Sequence, residues 1–405
     1  MINLVKDTIS NSDIDNLIDW LKTYPRLTKG PLTLELEKKW SEWIGVKYSV
    51  FCNSGSSANL LMLSAFVEQR RSERKKLKIV VPSVSWATDL APVMQLGLRP
   101  ILCDCNLDDL SIDLAHLEDI FIGYGSVDAL LLVSVLGLVP DMDRIKTLCK
   151  KYNVPILEDA CESMGSKYNG QNLGTFGDMS TFSTFFGHHI STIEGGFVST
   201  DDKELYNLLL SLRSHGWDRD LDKESQDDLR KTWDVSGFES MYTFYYPGYN
   251  LRSTDLNAFI GIGQIDNLDE WGKIRERNFN MYQELIKNDY WKPKNNSNNF
   301  TSNFAYPIIH PDRNKIVKKL QDNDVEVRPL VCGSMGKQPF YIKQCGQYDG
   351  RHMDLDLKKG RLIDLPNANE VDEYGLYVPN NPKLTEDEVV TVANLVNDVI
   401  CKDTQ

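Results

Sequence analysis

Short apolar runs alternate with amphipathic segments along the first half of the chain. The runs are rich in Val, Ile and Leu and have the length of strands. They are Tyr48–Cys52, Lys78–Val81, Pro100–Cys105, Ala129–Val135, Val154–Leu157, Ser180–Phe185 and Gly196–Thr200. Segments between or after them have helical periodicity, as in Ala58–Gln69, Asp141–Tyr152 and Asp201–Arg213. Apolar strands separated by helices predict a mostly parallel sheet covered on both faces, which is the core of an α/β domain.

The pattern changes after about Leu251. A long helical stretch, broken only by weak helix formers, is predicted from Leu251 through Ile286. Shorter segments follow it, and they predict strands at Phe304–Ile309 and Val325–Arg328 and helices at Arg313–Asp322 and Thr385–Ile400. Two further helices are predicted at Asp13–Tyr24 and Leu32–Trp43. We therefore expect a large α/β domain over 25–250 and a small α+β domain over 251–405, with an N-terminal helix in 1–24 packed alongside the small domain.

Charge and composition narrow the kinds of partner. The chain has 405 residues, 41% of them hydrophobic and 25% charged, which is typical of a globular protein. Its net charge of −13 argues against nucleic acid or an anionic membrane as the main partner, but a small phosphorylated ligand needs only a few local arginines. The start of the sequence has neither a basic region nor an apolar core, and the eight cysteines include no C-x-x-C pair. These features predict a cytoplasmic protein with free thiols.

The segment Asn53–Asn59 follows a predicted strand and opens a helix. Backbone N–H groups at a helix N-terminus, beside Gly55 and the hydroxyl of Ser56, form a phosphate site. The alternative is an ordinary turn in which a serine caps the helix. The segment alone leaves both interpretations open.

Three carboxyl groups, those of Glu158, Asp159 and Glu162, follow the predicted strand Val154–Leu157. Ligands of open α/β sheets bind at the carboxyl ends of strands. An aspartate there can pair with the protonated ring nitrogen of a cofactor such as pyridoxal phosphate. The alternative is a helix-capping aspartate.

The segment from Gly174 to Gly196, GTFGDMSTFSTFFGHHISTIEGG, is the most informative part of the chain. It resembles the motif of the DegT/StrS family of pyridoxal-phosphate sugar aminotransferases, GDxxxFSFxxxKxxxxxEGG. Five more motifs match in order: SGSSANL, VPSVSWAT, EDACESMG, RSHGW and PGYNLRSTDLNAFIG. The family has a lysine six residues before the glutamate of EGG, which bonds covalently to the cofactor. This chain has His188 there, and within the family that change is similar to the sugar 3-dehydratases.

The resemblance implies a fold-type I architecture like that of aspartate aminotransferase, and a site that holds pyridoxal or pyridoxamine phosphate without a covalent bond. It implies that Gly55, Ser56 and Ser183 hold the phosphate, that Asp159 pairs with the ring nitrogen, and that Trp86 stacks on the ring. Glu162 would lie beside the ring hydroxyl, and Asn250 would reach the phosphate of a second subunit, so that a homodimer shares its active sites. The expected ligands of the sugar and diphosphate are Arg213, His215, Arg219, Arg252 and Arg328.

The resemblance to the sugar 3-dehydratases also implies the activity, which is removal of the C3 hydroxyl of a nucleotide-linked 4-keto-6-deoxy sugar, with L-glutamate as amino donor. His188 suits the expected acid–base role because an imidazole can act as a base and then as an acid in one cycle. GDP-4-keto-6-deoxy-D-mannose is the first candidate substrate, in deoxysugar biosynthesis for lipopolysaccharide O antigens. The iron–sulfur relatives of this subgroup carry clustered cysteines before the GYN motif, whereas this chain has no cysteine between Cys161 and Cys332.

Three alternatives remain open. The first is a 4-aminotransferase of the perosamine type whose lysine has been replaced. The second is a catalytically idle homologue that binds a nucleotide sugar. The third is a metal site at His188 and His189, although adjacent side chains usually point apart and no third ligand is spaced nearby. We expect no metal and no iron–sulfur cluster.

Overall fold

A computed structural model describes residues 1–73, 76–294, 296–345, 355–356, 361–362 and 365–401. The strands of this part of the chain are β1 Tyr48–Cys52, β2 Lys78–Pro82, β3 Arg99–Cys103, β4 Ala129–Val133, β5 Ile156–Asp159, β6 Lys167–Tyr168, β7 Gln171–Asn172, β8 Met179–Ser183, β9 Gly196–Thr200, β10 Ala305–Ile309, β11 Arg328–Pro329, β12 Leu355–Asp356, β13 Arg361–Leu362 and β14 Gly375–Pro379.

The helices of the same residues are α1 Asn11–Leu21, α2 Pro31–Ile44, α3 Gly55–Gln69, α4 Ala87–Gln95, α5 Leu114–Tyr124, α6 Met142–Tyr152, α7 Lys203–Arg213, α8 Lys223–Trp233, α9 Asp255–Ile265, α10 Leu268–Leu285, α11 Arg313–Gln321, α12 Pro339–Cys345, α13 Pro366–Tyr374 and α14 Glu386–Ile400. Short 3₁₀ turns occur at Arg71–Glu73, Val135–Gly137, Glu239–Tyr242 and Met335–Lys337.

Seven strands form one central sheet in the order β1-β9-β8-β5-β4-β2-β3. All of the pairs from β8 to β3 are parallel, and β9 is antiparallel to both of its neighbours, β8 and β1. Every strand predicted in the first half of the chain is present, with ends that differ by a few residues. The prediction of a mostly parallel sheet is therefore confirmed.

Helices cover both faces of this sheet. On one face, α3 is apolar almost all round and packs against β8, β9 and α7. On the other face, residues of β2, β3 and β4 pack with α5 and α6 around Leu117 and Ile145. Strands that are buried on both faces need apolar residues at successive positions, which is why β4 reads Ala-Leu-Leu-Leu-Val.

A second, antiparallel sheet follows in the order β10-β14-β11, with α11 and α14 packed together beside it. The long helix predicted over Leu251–Ile286 is in fact two helices, because the chain breaks at Asp266 and Asn267, which are weak helix formers. The strand predicted at Val325–Arg328 is also displaced. Val325 forms a parallel bridge with Ile2, so the strand that joins this sheet is β11.

The N-terminal helices contact the central sheet and α9. The indole of Trp40 in α2 stacks on Phe197 of β9, with ring centroids 4.5 Å apart, and α2 also packs along α9. Trp20 of α1 stacks on Phe259 of α9 at 4.9 Å. The domain division at residue 250 remains a prediction. Among the described residues, no helix is long and apolar enough to cross a membrane.

Candidate active site

The carboxyl ends of β1, β2, β4, β5 and β8 surround one cavity of about 240 Å³, as expected for a ligand site in an α/β sheet. Residues just before β10 and on β14 close its other side. The cavity is lined by Val5, Gly55, Ser56, Asn59, Trp86, Thr88, Asp89, Val133, Asp159, Cys161, Glu162, Ser183, Phe185, Gly187, His188, Phe304 and Tyr377. The structure thus brings together His188 and all of the predicted cofactor ligands except Asn250.

One end of the cavity is the N-terminus of α3. The Ser54 hydroxyl caps this helix by accepting a hydrogen bond from the N–H of Ser57 at 3.0 Å, and α3 begins at Gly55. The hydroxyl of Ser56 hydrogen-bonds to that of Thr88 at 3.2 Å. Ser183, at the end of β8, lies against Gly55. Helix N–H groups and serine hydroxyls at one point form an anion site of the kind that binds phosphate.

The other end holds a buried pair of carboxyl groups, Asp159 and Asp89. Asn59 donates to both of them, at 2.6 Å to Asp159 Oδ2 and 3.1 Å to Asp89 Oδ1. The backbone N–H groups of Cys161 and Trp86 donate to Asp159 and Asp89 respectively. Burial, together with the neighbouring Asp159, raises the pKa of Asp89 well above its ordinary range. Of the two carboxyl groups, Asp89 is therefore the one shown to favour the protonated form.

Trp86 and Glu162 lie on the walls of the cavity. The indole of Trp86 stands at the start of α4 and is 54% exposed, so a flat ring can lie against it. Glu162 Oε2 accepts a hydrogen bond from the N–H of Leu136 at 2.7 Å. Burial raises the pKa of Glu162 to about 7, and the charge of Asp159 adds to this shift.

His188 lies between the two sheets. Its ring packs against Phe304 with centroids 5.3 Å apart, and its Nδ1 is buried with no hydrogen-bond partner among the described residues. Burial lowers the pKa of His188 to about 4, against the opposing effects of the Asp159 carboxylate and a hydrogen bond at the Cys161 backbone. The imidazole is therefore neutral at physiological pH, with one nitrogen available to take a proton.

Three of the predicted substrate ligands meet on the surface, outside this cavity. The ring of His215 lies against Trp217, and Arg219 lies over the same indole at 4.0 Å. Arg252 contacts His215 Nε2 at 3.3 Å and donates to Asn250 Oδ1 at 2.9 Å. The structure therefore groups Asn250 with these basic residues, and Asn250 is not among the residues that line the cavity of its own chain.

The other two predicted ligands lie apart from this group. Arg213 has no exposed surface, and its guanidinium is paired with Glu37 at 2.5 Å and Asp220 at 3.3 Å. This corrects the expectation that Arg213 binds the substrate, because its guanidinium is buried and already paired with these two carboxylates. Arg328 is exposed, pairs with Glu326 at 2.8 Å and lies opposite Tyr377 in the small sheet, beside the cavity.

Several lining residues were not singled out from the sequence. Asn59 lies in the motif SGSSANL and Thr88 in the motif VPSVSWAT. The sequence therefore indicates that they are near the cavity, but not which groups they contact. Asp89 directly follows the VPSVSWAT motif. Phe304 and Tyr377 come from the small sheet, and no local pattern connects them to the cavity. No group of three or more His, Cys, Asp or Glu side chains in the described residues is placed to hold a metal ion.

The architecture is that of the fold-type I pyridoxal-phosphate enzymes. The structure of GDP-4-keto-6-deoxy-D-mannose 3-dehydratase from Escherichia coli with bound hydrated pyridoxal phosphate superposes with a TM-score of 0.84 at 31% identity, over 98% of this chain and 99% of that one. Residues 8–397 match the DegT/DnrJ/EryC1/StrS aminotransferase family, and the chain belongs to that family.

Two curated relatives differ in the activity that their names state. The GDP-4-keto-6-deoxy-D-mannose 3-dehydratase of Yersinia pseudotuberculosis is 35% identical over 375 residues, 91% of each chain. The GDP-perosamine synthase of Caulobacter vibrioides is 26% identical over 98% of each chain. The predicted family and fold class are thus confirmed.

Proposed function

We propose that this protein removes the C3 hydroxyl of GDP-4-keto-6-deoxy-D-mannose, with pyridoxamine phosphate as cofactor and L-glutamate as amino donor. The products are the 4-keto-3,6-dideoxy sugar, 2-oxoglutarate and ammonia, which together balance the atoms of sugar and glutamate. The observation that carries the proposal is His188, which faces the cavity where the family's aminotransferases have lysine. No lysine is among the described residues that line this cavity.

The residues of the cavity fit the cofactor. The N-terminus of α3, with Ser56 and Ser183, would hold its phosphate, and Asp159 would pair with the protonated ring nitrogen. Trp86 would cover one face of the ring. When bound, pyridoxamine phosphate would supply the amine that condenses with the C4 ketone and the ring that takes up an electron pair.

The chain's own contribution to the reaction is to move a proton. His188 is neutral at physiological pH because burial depresses its pKa to about 4. Its imidazole can take up the proton released at the reacting carbon and pass it to the C3 hydroxyl, which then leaves as water. An imidazolium of low pKa is a strong acid, and this favours protonation of so poor a leaving group.

A second candidate function is 4-amino transfer, as in the GDP-perosamine synthase to which the chain is similar. The two functions give different products from one substrate. Mass spectrometry after incubation with pyridoxal phosphate, L-glutamate and GDP-4-keto-6-deoxy-D-mannose distinguishes them. A sugar lacking one oxygen, formed with ammonia, supports the dehydratase. A sugar that has gained nitrogen contradicts it and supports amino transfer, and an unchanged sugar contradicts both.

We further propose a homodimer in which Asn250, His215, Arg219 and Arg252 act in the partner's cavity. Two exposed apolar surfaces support this arrangement. Around the basic group, Phe238 is 80% and Tyr242 81% exposed, and Phe244 stacks on Trp217. Around the cavity, the exposed rings are those of Trp86, Phe185 and Phe186. Such contiguous aromatic surfaces are typical of protein interfaces.

A mixed dimer tests this arrangement. One tagged subunit carries His188→Asn and the other carries Asn250→Ala, and each variant alone is expected to have little activity. The purified mixed dimer is expected to regain activity at one site, which combines an intact His188 with the partner subunit's Asn250. A mixed dimer without activity, or a monomeric wild type by light scattering, would contradict the shared site.

We also propose that the enzyme is located in the cytoplasm.

A further inference from the structure

Arg275, in the middle of α10, is buried without an acidic partner. The side chain is 2% exposed, and no carboxylate in the described part of the chain forms an ion pair with it. Burial lowers its pKa to about 9, so the guanidinium still carries its charge at neutral pH. A buried cation is normally paired with an anion, because its desolvation is costly. Arg275 therefore needs another explanation.

The partners of Arg275 are backbone carbonyls. Its Nη1 donates to the carbonyls of Asn303 at 3.3 Å and Phe304 at 3.1 Å, and also to that of Asn380. The side chain of Asn380 donates back to the carbonyls of Arg275 and Asn303, at 3.0 and 3.1 Å. This cluster fixes the backbone of the segment Ser302–Phe304, just before β10.

The fixed segment contacts both histidines of the active-site loop. The carbonyl of Ser302 hydrogen-bonds to His189 Nε2 at 2.9 Å. The ring of Phe304 packs on His188 and His189, with centroids 5.3 and 6.2 Å away. The N–H of Phe304 donates to the carbonyl of Leu136, whose own N–H is bound by Glu162. The segment thus forms the wall behind the imidazole of His188.

We propose that Arg275 is a positioning residue for His188: it pins Ser302–Phe304 so that Phe304 holds the imidazole in place, and its unpaired charge faces the same site. The inference rests on the proposed role of His188 in the reaction. A carboxylate partner would have satisfied Arg275 and cancelled its charge, whereas carbonyl partners hold the segment and leave the field of the guanidinium intact.

The electrostatics of the site agree with this placement. Burial lowers the pKa of both His188 and His189, and the charge of Arg275 lowers both further. The titratable groups that face His188 or share its cavity are Asp159, Asp89, Glu162, Cys161, Tyr377, His189 and Arg275. Asp159 opposes the effect of Arg275 on His188. Removing the guanidinium takes away one of the effects that lower the pKa of His188, while burial still lowers it and Asp159 still raises it, so we expect the pKa of His188 to rise.

The test is the ring signal of His188 in protein labelled with ¹³C-histidine, which has only six histidines to assign. His188→Asn identifies the signal. In Arg275→Met, we expect the His188 signal to shift at pH 8, where the ring is neutral, and its titration midpoint to move to higher pH. We also expect kcat to fall about tenfold with a smaller change in KM for the sugar. Phe304→Leu should change the signal at pH 8 in a similar way.

Arg277→Met is the matched control, because Arg277 lies on the same helix and pairs with Glu386 at the surface. Its His188 signal should match that of wild type. Arg275→Lys retains the charge but not the fork of donors, so its midpoint should stay near that of wild type while the pH 8 signal moves. Arg275→Lys also provides a folded variant for the test if Arg275→Met does not fold. An unchanged His188 signal and midpoint in a folded Arg275 variant would overturn the proposal, whatever reaction the enzyme catalyses.

Discussion

Gly55 and Ser183 are packed so closely that a Cβ on Gly55 would stand 2.6 Å from the Cβ of Ser183. Two non-bonded carbon atoms cannot stand that close, so one of the two segments would have to move. Gly55 opens α3 after β1, and Ser183 ends β8, so the contact joins two elements that are far apart in the chain. The same two residues are expected to hold the cofactor phosphate, and the space between them is set by the missing side chain.

Gly55→Ala is expected to weaken cofactor binding at least tenfold, because Ser183 or the start of α3 must move. Overpacking of this kind also destabilises a protein by about 1–3 kcal/mol. Absorbance titration with pyridoxal phosphate and thermal melting measure the two effects. Gly123→Ala is the control, since its Cβ would meet no atom within 4 Å inside α5. Equal affinities in the two variants would contradict the prediction.

Asp159→Asn and Asp89→Asn should differ sharply, although the two carboxyl groups are neighbours. Asp159 is the carboxylate expected to pair with the ring nitrogen, so its replacement by an amide removes that partner, and kcat should fall on the order of a hundredfold or more. Burial and the neighbouring Asp159 raise the pKa of Asp89 so that it favours the protonated form, and an amide can donate to Asp159 in the same way. Its variant should therefore keep kcat within a few-fold. Steady-state kinetics with both variants decide the assignment, and a reversed order would refute it.

His188→Asn should lower kcat by about 10²–10⁴-fold while cofactor affinity changes little, because asparagine keeps the size of the side chain but cannot carry the proton. Turnover and cofactor absorbance are the two measurements. His116→Asn is the control, because that ring only accepts a hydrogen bond from the N–H of Asp104, away from the cavity. A His188→Asn enzyme with near-normal turnover would remove the basis of the proposed function.

Glu162→Gln should flatten the dependence of apoprotein stability on pH. The folded protein raises the pKa of Glu162 from 4.5 to about 7, so it favours the protonated form. The contribution of protonated Glu162 to the free energy of unfolding is fully present below about pH 4.5. It is lost as the pH rises through about 7, and the loss is on the order of 3 kcal/mol. Urea unfolding at pH 5 and pH 8 should show a smaller loss for the variant than for wild type. Equal losses of stability in the variant and in wild type would mean that another group, and not Glu162, titrates in this range.

Much of the fold is predictable because the strands of the central sheet are buried on both faces. β4 and β2 have buried apolar residues at successive positions, which is typical of strands covered on both faces. The errors fall where a distant partner decides the structure. Val325 pairs with Ile2 from the other end of the chain, and β14 becomes a strand between β10 and β11 only in the assembled small sheet.

The candidate site was predictable as far as its motifs extend. Gly55, Trp86, Asp159, Ser183 and His188 each end or follow a strand of the central sheet, and they meet as expected. What the sequence could not show were contacts between remote segments. The raised pKa of Asp89 depends on its burial and on Asp159, and the burial of Arg213 depends on Glu37 and Asp220. Phe304 and Arg275 reach His188 only through the packing of α10 against the segment before β10.

The position of β1 at the edge of the sheet bears on how the chain is made. β1 pairs only with β9, the last strand of that sheet to leave the ribosome. Such long-range pairing is slow, because the entropy of closing a large loop is lost before the contacts between the two strands can form. A nascent chain that ends before Gly196 lacks β9, the strand with which β1 pairs, and β1 leads directly to Ser54 and Gly55. Capture of the cofactor is therefore expected only after the last strand of the central sheet has been made.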